Sequence, residues 1–206
     1  VLSGAGSVLL GSGTLSVGGN NGSGSFSGVI AESGGLTKLG SGTVTLSGEN
    51  TYTGTTTISN GTLTYGGSNI LSTGAVTING GTLNIDSYTD TVGAVTLESG
   101  SITGTGTLTG SSYAVKSGAI GAILGGSSVG LTKSTGGTVT LSGENTYTGT
   151  TTISAGTLAL GADNVLSDET EVSVTGIFDL ADNSDTINVL SGAGSVLLGS
   201  GTLSVG

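Results

Sequence analysis

The chain has no proline, cysteine, methionine, tryptophan, histidine or arginine, and each absence removes a class of explanation. Without proline, no residue is barred from donating its backbone N–H to a strand ladder. Without cysteine there is no disulfide framework and no thiolate chemistry, although this does not identify a compartment. Without histidine, cysteine and arginine, the commonest general bases, metal ligands and anion clamps are missing. Positive charge is confined to Lys38, Lys116 and Lys133 against 13 acidic residues, a net charge of -10. Nothing here neutralises phosphates, so nucleic acid and anionic lipid surfaces are poor partners, and no nucleic acid is expected. No apolar run approaches the roughly 18 residues of a membrane span. The longest, "GAIGAIL" at 119 to 125, is too short, and no membrane insertion by this segment is expected. The sequence starts without methionine, signal peptide or anchor, and is expected to be a processed product or a piece of something longer.

What fills the chain instead is glycine, 43 of 206 residues, with threonine, serine and 34% apolar residues. Glycine at this level accompanies flexible low complexity, but here the mean hydropathy is +0.32 and valine, leucine and isoleucine recur at short regular intervals. The regularity is a set of nested repeats. "GTVTLSGENTYTGTTTIS" occupies both 42 to 59 and 137 to 154. "VLSGAGSVLLGSGTLSVG" (1 to 18) returns unchanged at 189 to 206. The repeat unit therefore runs from 1 to 188 and restarts at 189, and it divides into two diverged half-units with best-matched cores at 35–72 and 130–167. Thr14-Leu15, Thr107-Leu108 and Thr202-Leu203 fall at equivalent points of this scheme.

Beneath both repeats run short alternating stretches such as "TVTLS", "TTTIS" and "GTLNI", punctuated by Gly, Asn or Ser. Alternation with period two reads as strands with one apolar and one hydroxyl face. Helix is excluded by the glycines and by the Thr and Val content. Apolar anchors at Leu46, Leu63, Leu83 and Ile102 advance in steps of about 20 residues, which suits a coil whose turns stack in register. The expected fold is an all-β parallel β-helix of about 20 residues per coil, continuous over 1–206, with roughly ten coils and a length of about 50 Å.

The stretches "GGLTKLGSGTVTLSGENTYTGTTTISNGTLTYG" (34 to 66) and "VGLTKSTGGTVTLSGENTYTGTTTISAGTLALG" (129 to 161) closely resemble the passenger-associated transport repeat of autotransporters. The Gly-Leu-Thr-Lys lead-in, the strand, the Asn-Thr-Tyr-Thr-Gly turn and the closing Gly-Thr-Leu are all present twice, with Val44 and Val139 where Leu is usual, and Glu49 and Glu144 before the Asn. The resemblance implies a right-handed parallel β-helix, exposed on or released from a Gram-negative cell surface, with a part in its own export. It also implies an adhesin-like structural role. Its motif positions here are Gly42, Leu46, Gly48, Asn50, Tyr52 and Gly54, with Gly137, Leu141, Gly143, Asn145, Tyr147 and Gly149.

Residues that could carry chemistry are few. The threonine runs at 51 to 57, 103 to 110 and 146 to 152 read as solvated strand faces, and their irregular spacing along the chain argues against a lattice that would bind ice. Asp163, Asp168, Asp182 and Asp185 are weak calcium candidates in an acidic stretch that also holds Glu169, Glu171 and Asp179. The calcium-binding nonapeptide is absent, and the first half-unit keeps only Asp86 and Asp90. Nothing marks Asp182 and Asp185 as different from solvated turn residues, so neither catalysis nor a cofactor is expected. Tyr52 and Tyr147 are expected to cover a coil edge, and Asn50 and Asn145 to cap backbone groups at the same corner. Lys38 and Lys133 read as exposed. The sequence therefore points to a non-catalytic stalk. The alternatives are a filament of copies stacked end to end and, behind that, a solenoid that binds glycan, calcium or ice. The receptor is unknown.

Overall fold

A computed structural model describes residues 1–206. It contains 25 short strands and no helix, and every named pairing between strands is parallel. The chain winds as a β-solenoid of about 10 turns, each about 19 residues from the next. Each coil contributes up to three strands, so the rod has three faces.

The first face is the most regular. Its inward partners run Leu15, Leu36, Thr56, Val76, Val95, Tyr113, Leu131, Thr151, Val172 and Leu190, one to each coil. The outward rank beside it is Ser16, Thr37, Thr57, Thr77, Thr96, Ala114, Thr132, Thr152, Ser173 and Ser191. The irregular spacing seen along the sequence thus resolves into a stack, because corner lengths absorb the differences. On the second face Val44, Leu63, Leu83, Ile102 and Ile120 stack inward. Leu46, which the sequence spacing sets in line with Leu63, Leu83 and Ile102, does not belong to that rank; it lies under Tyr65, one inward position further along. A shift of two residues leaves every side chain on the same face, so the apolar pattern alone could not distinguish the two.

The third face is discontinuous. Parallel strands form at Ser7–Leu9 with Val29–Ala31, across Thr89–Thr91, Thr107–Thr109 and Ile123–Gly125, and at Asp185–Ile187 with Leu203–Val205. Between these patches, 47–55 and 142–150 are outside any strand. Both are copies of the repeated corner.

Inward side chains form one core of 40 residues along the axis. Thr56, Thr151 and Thr170 are buried in it, an exception to the expectation that hydroxyls face water.

The identical segments at the two ends are threaded differently. In the first copy, Ser7–Leu9 lies on the third face against Val29–Ala31, and Thr14–Val17 on the first against Gly35–Lys38. In the second copy Val189–Gly192 takes the first face, Ser195–Leu197 the second against Ile177–Asp179, and Leu203–Val205 the third. Thr14-Leu15 is therefore not equivalent to Thr107-Leu108 and Thr202-Leu203, which lie on or beside third-face strands. The segment alternates small and apolar residues, which satisfies any face, and the coil it lies against sets its place.

This difference is directly testable. Paired Cα atoms on adjacent strands lie about 4.8 Å apart, within reach of a disulfide. Val8→Cys/Ile30→Cys and Phe178→Cys/Val196→Cys should each oxidise to an intramolecular disulfide, mapped by mass spectrometry. Leu15→Cys/Ile30→Cys, which corresponds to threading the first copy like the second, should not; efficient closure of that pair would show the threading to be wrong.

Candidate functional site

The repeated corner is where the backbone leaves strand geometry, so its polar groups need other partners. Thr51 and Tyr52 both donate their N–H to the Ile30 carbonyl, and Thr146 and Tyr147 do the same to Leu124. The N–H groups of Ile30 and Leu124 are then met by side chains. Asn50 accepts from Ile30 through Oδ1 at 2.8 Å and donates through Nδ2 to the Ile70 carbonyl at 2.7 Å and to Gly48 at 3.0 Å. Asn145 accepts from Leu124 at 2.8 Å and donates to Val165 at 2.9 Å. Each Asn thus ties its own coil to the coils on both sides.

One coil further on, an aspartate completes the arrangement. Asp90 Oδ2 accepts the Leu71 N–H at 2.8 Å, and Asp185 Oδ2 accepts those of Val165 and Leu166 at 3.1 and 3.0 Å. The other oxygen of each accepts the N–H of Thr91 or Thr186. Asp185 is 3% exposed, which overturns its reading as a solvated turn residue. Burial raises the carboxyl pKa of both, the backbone hydrogen bonds partly oppose this, and for Asp185 the Asp168 charge adds to the rise. A sequence signal for this pair exists in "TDT" at 89 to 91 and "SDT" at 184 to 186, placed alike after the two corners.

Tyr52 and Tyr147 are fully buried and each hydrogen bonds a hydroxyl four residues on, Thr56 and Thr151, the latter at 2.7 Å. They fill the core under the corner and offer no platform to a ligand. Burial pushes the Tyr52 phenol up to about 12, with the Thr56 hydrogen bond acting against it, and Tyr147 is raised further. Tyr147 also packs against Tyr113, with centroids 5.9 Å apart. The Tyr65 hydroxyl is buried without a hydrogen-bond partner; burial, followed by the nearby Asp90 charge, holds its pKa well above the usual range.

Lys38 and Lys133 depart most from expectation, because both are wholly buried. Each takes an inward position of the first face, beside Ile58 and Ile153 respectively, and its stem fills core volume there. Lys38 Nζ donates to the carbonyls of Leu39 at 2.7 Å, Gly40 at 2.8 Å and Asn60 at 3.1 Å. Lys133 Nζ donates to Thr135 and, at 3.1 Å, to Ala155. Corner carbonyls therefore solvate each ammonium in place of water, while desolvation lowers its pKa. Gly61 and Gly156 roof these cages: both have positive φ, and a Cβ on either would lie 2.7 Å from the lysine Nζ.

The motif glycines Gly42, Gly48, Gly54, Gly137, Gly143 and Gly149 serve coil stacking, since a Cβ at each would come within 2.0 to 3.0 Å of backbone in the preceding coil. Leu46 and Leu141 are buried. Among the acidic candidates, Asp163 accepts the Ser184 N–H at 2.7 Å, Asp182 that of Ser200 at 2.8 Å, and Asp168 is exposed. No three acidic groups come together as a metal site would require. One open groove of 420 Å³ crosses three coils at the first corner, with Glu49, Thr51, Thr53, Asn69, Thr73 and Thr91 on its walls and Asn50 and Asp90 also lining it.

The family model of the passenger-associated-transport-repeat matches residues 36–64 and 131–160. The family model thus matches the chain twice, once around each copy of the corner. No curated protein and no solved structure matches the chain. Each repeat starts at the first-face strand bearing the buried lysine, passes through the corner, and ends on the second face of the next coil. The repeats thus contain the lysine cage whole, whereas the partners of their asparagines on neighbouring coils, Ile30 and Ile70 or Leu124 and Val165, lie outside the matched residues.

Two outcomes test this chemistry. Lys38→Met or Lys133→Met retains the apolar stem but leaves buried carbonyls unmet, and each should cost about 2 to 4 kcal/mol in urea unfolding. Wild-type stability in both variants would show that the cages contribute nothing. The second outcome concerns pH. A carboxyl whose folded pKa lies above its unfolded value of about 3.9 binds its proton more tightly in the fold. Its contribution to stability is greatest below the unfolded value and is lost as pH rises through the folded one. The protein should therefore be more stable near pH 4 than near pH 7, and Asp90→Asn/Asp185→Asn should narrow that gap. An unchanged gap would remove these two groups from the account.

Proposed function

We propose that this chain is a rigid, non-catalytic spacer in an exported surface protein. It is part of an autotransporter passenger displayed outside the outer membrane of a Gram-negative cell, where it holds a receptor-binding part away from the surface. The observation that carries this reading is the use of the polar side chains within the repeats. Asn50, Asn145, Lys38 and Lys133, together with the adjoining Asp90 and Asp185, all bond backbone of their own or neighbouring coils. Such a site holds coils together and leaves no converging acid, base or nucleophile for a substrate. The passenger-associated-transport-repeat supports export, and the solenoid supports a role in which more coils mean more length.

The test is a measurement of reach. One or two copies of the 1–188 unit would be placed between an outer-membrane translocator and an epitope, and epitope height above the cell measured by electron microscopy with gold labelling. At about 4.8 Å per coil, each added unit should raise the epitope by roughly 45 Å. An epitope held inside the cell, or a height independent of copy number, would sink the proposal.

A further inference from the structure

The charge on this rod is segregated. Apart from Glu171 and Glu98, none of the 13 acidic residues lies on the first face or on the corner leading from it to the second. Glu98 is ion-paired with Lys116 at 2.7 Å. The exposed acids Glu49, Asp86, Glu144, Asp163 and Asp182 lie instead on the corner between the second and third faces, and Glu32, Asp168 and Glu169, towards the two ends of the rod, on the corner between the third face and the first. On the first face, Thr37, Thr57, Thr77, Thr96, Thr132 and Thr152 form one in-register outward rank, extended by serines at both ends and interrupted only by Ala114. Residues flanking the rank in the middle coils are small or neutral, such as Thr55, Ala75, Ala94, Ser112 and Thr150.

We propose that the first face is a lateral self-association surface, on which a second copy of this chain docks face to face. Charge favours this occupant. Two rods of net charge -10 repel wherever acidic corners meet, and the first face is where two copies can come together with their middle coils uncharged. Shape agrees, since stacked β-branched side chains at one spacing make a flat surface complementary to itself, as a two-fold pair requires. Area sets the strength. Ten coils at about 4.8 Å and a strip four residues wide at about 3.3 Å give roughly 630 Å² per copy, or about 1,270 Å² for the pair. That lies at the lower limit of specific interfaces, so the pair is weak and reversible and becomes substantial only where many copies are crowded.

Sedimentation velocity from 10 µM to 1 mM at physiological salt, with small-angle scattering on the same samples, tests the proposal. The expected result is a concentration-dependent dimer whose cross-section grows while its length stays that of one rod. Thr57→Glu/Thr96→Glu should weaken dimerisation at least tenfold, whereas Thr45→Glu/Thr103→Glu on the second face, with matched circular dichroism, should leave it within twofold. A monomer throughout would overturn the proposal. So would dimers that lengthen without thickening, which would mean association through the terminal coils, or equal effects of the two double variants.

Discussion

Parallel hydrogen bonding from coil to coil is the constraint on which the rest of this structure depends. Of 117 backbone hydrogen bonds, 59 are not strand-to-strand, and most of these also run from one coil to the next, so the ladder continues through the corners. A proline would remove a donor from this ladder almost anywhere it fell, and the chain has none. The motif glycines follow from the same demand: coils this close leave no room for a Cβ where one corner lies against the next. Where the third sheet is interrupted at 47–55 and 142–150, Asn50 and Asn145 carry the ladder across with their side chains.

The repeated corner is therefore repeated because it solves a structural problem. A coil that turns without a third strand leaves an N–H unmet on one neighbouring coil and a carbonyl unmet on the other, and a side-chain amide can accept from the first through its oxygen while donating to the second through its nitrogen. Aspartate takes over where only donors remain to be met, at Leu71 and Leu166. Lysine does the reverse, collecting carbonyls that the first corner of the coil leaves unmet. With these buried polar groups committed to backbone, the exterior is left with hydroxyls, glycines and an acidic strip. Such a surface suits a mechanical element, and its neutral side can approach another copy.

Much of the fold was legible because period-two alternation, glycine punctuation and a repeat interval of about 20 residues allow few architectures. The candidate site was less legible. Asn50, Asn145, Tyr52 and Tyr147 stood out through repetition, but the asparagines' partners are backbone groups one coil away on either side, which no local pattern reveals. Lys38 and Lys133 were misplaced because charge suggests exposure, and only the carbonyls that converge through coil stacking make burial tolerable. Asp185 was misplaced in the same way.

By itself the sequence determined that the chain is all-β, that its side chains alternate in and out, and that its corners need glycine, because these follow from local sterics and from hydrophobic periodicity. Only the tertiary structure decided register. Leu46 lies under Tyr65 instead of Leu63, and identical segments take different faces at the two ends. The reason is that a period-two pattern is unchanged by a shift of two residues or by a move to the next face, so the free-energy difference between registers resides in the neighbouring coil.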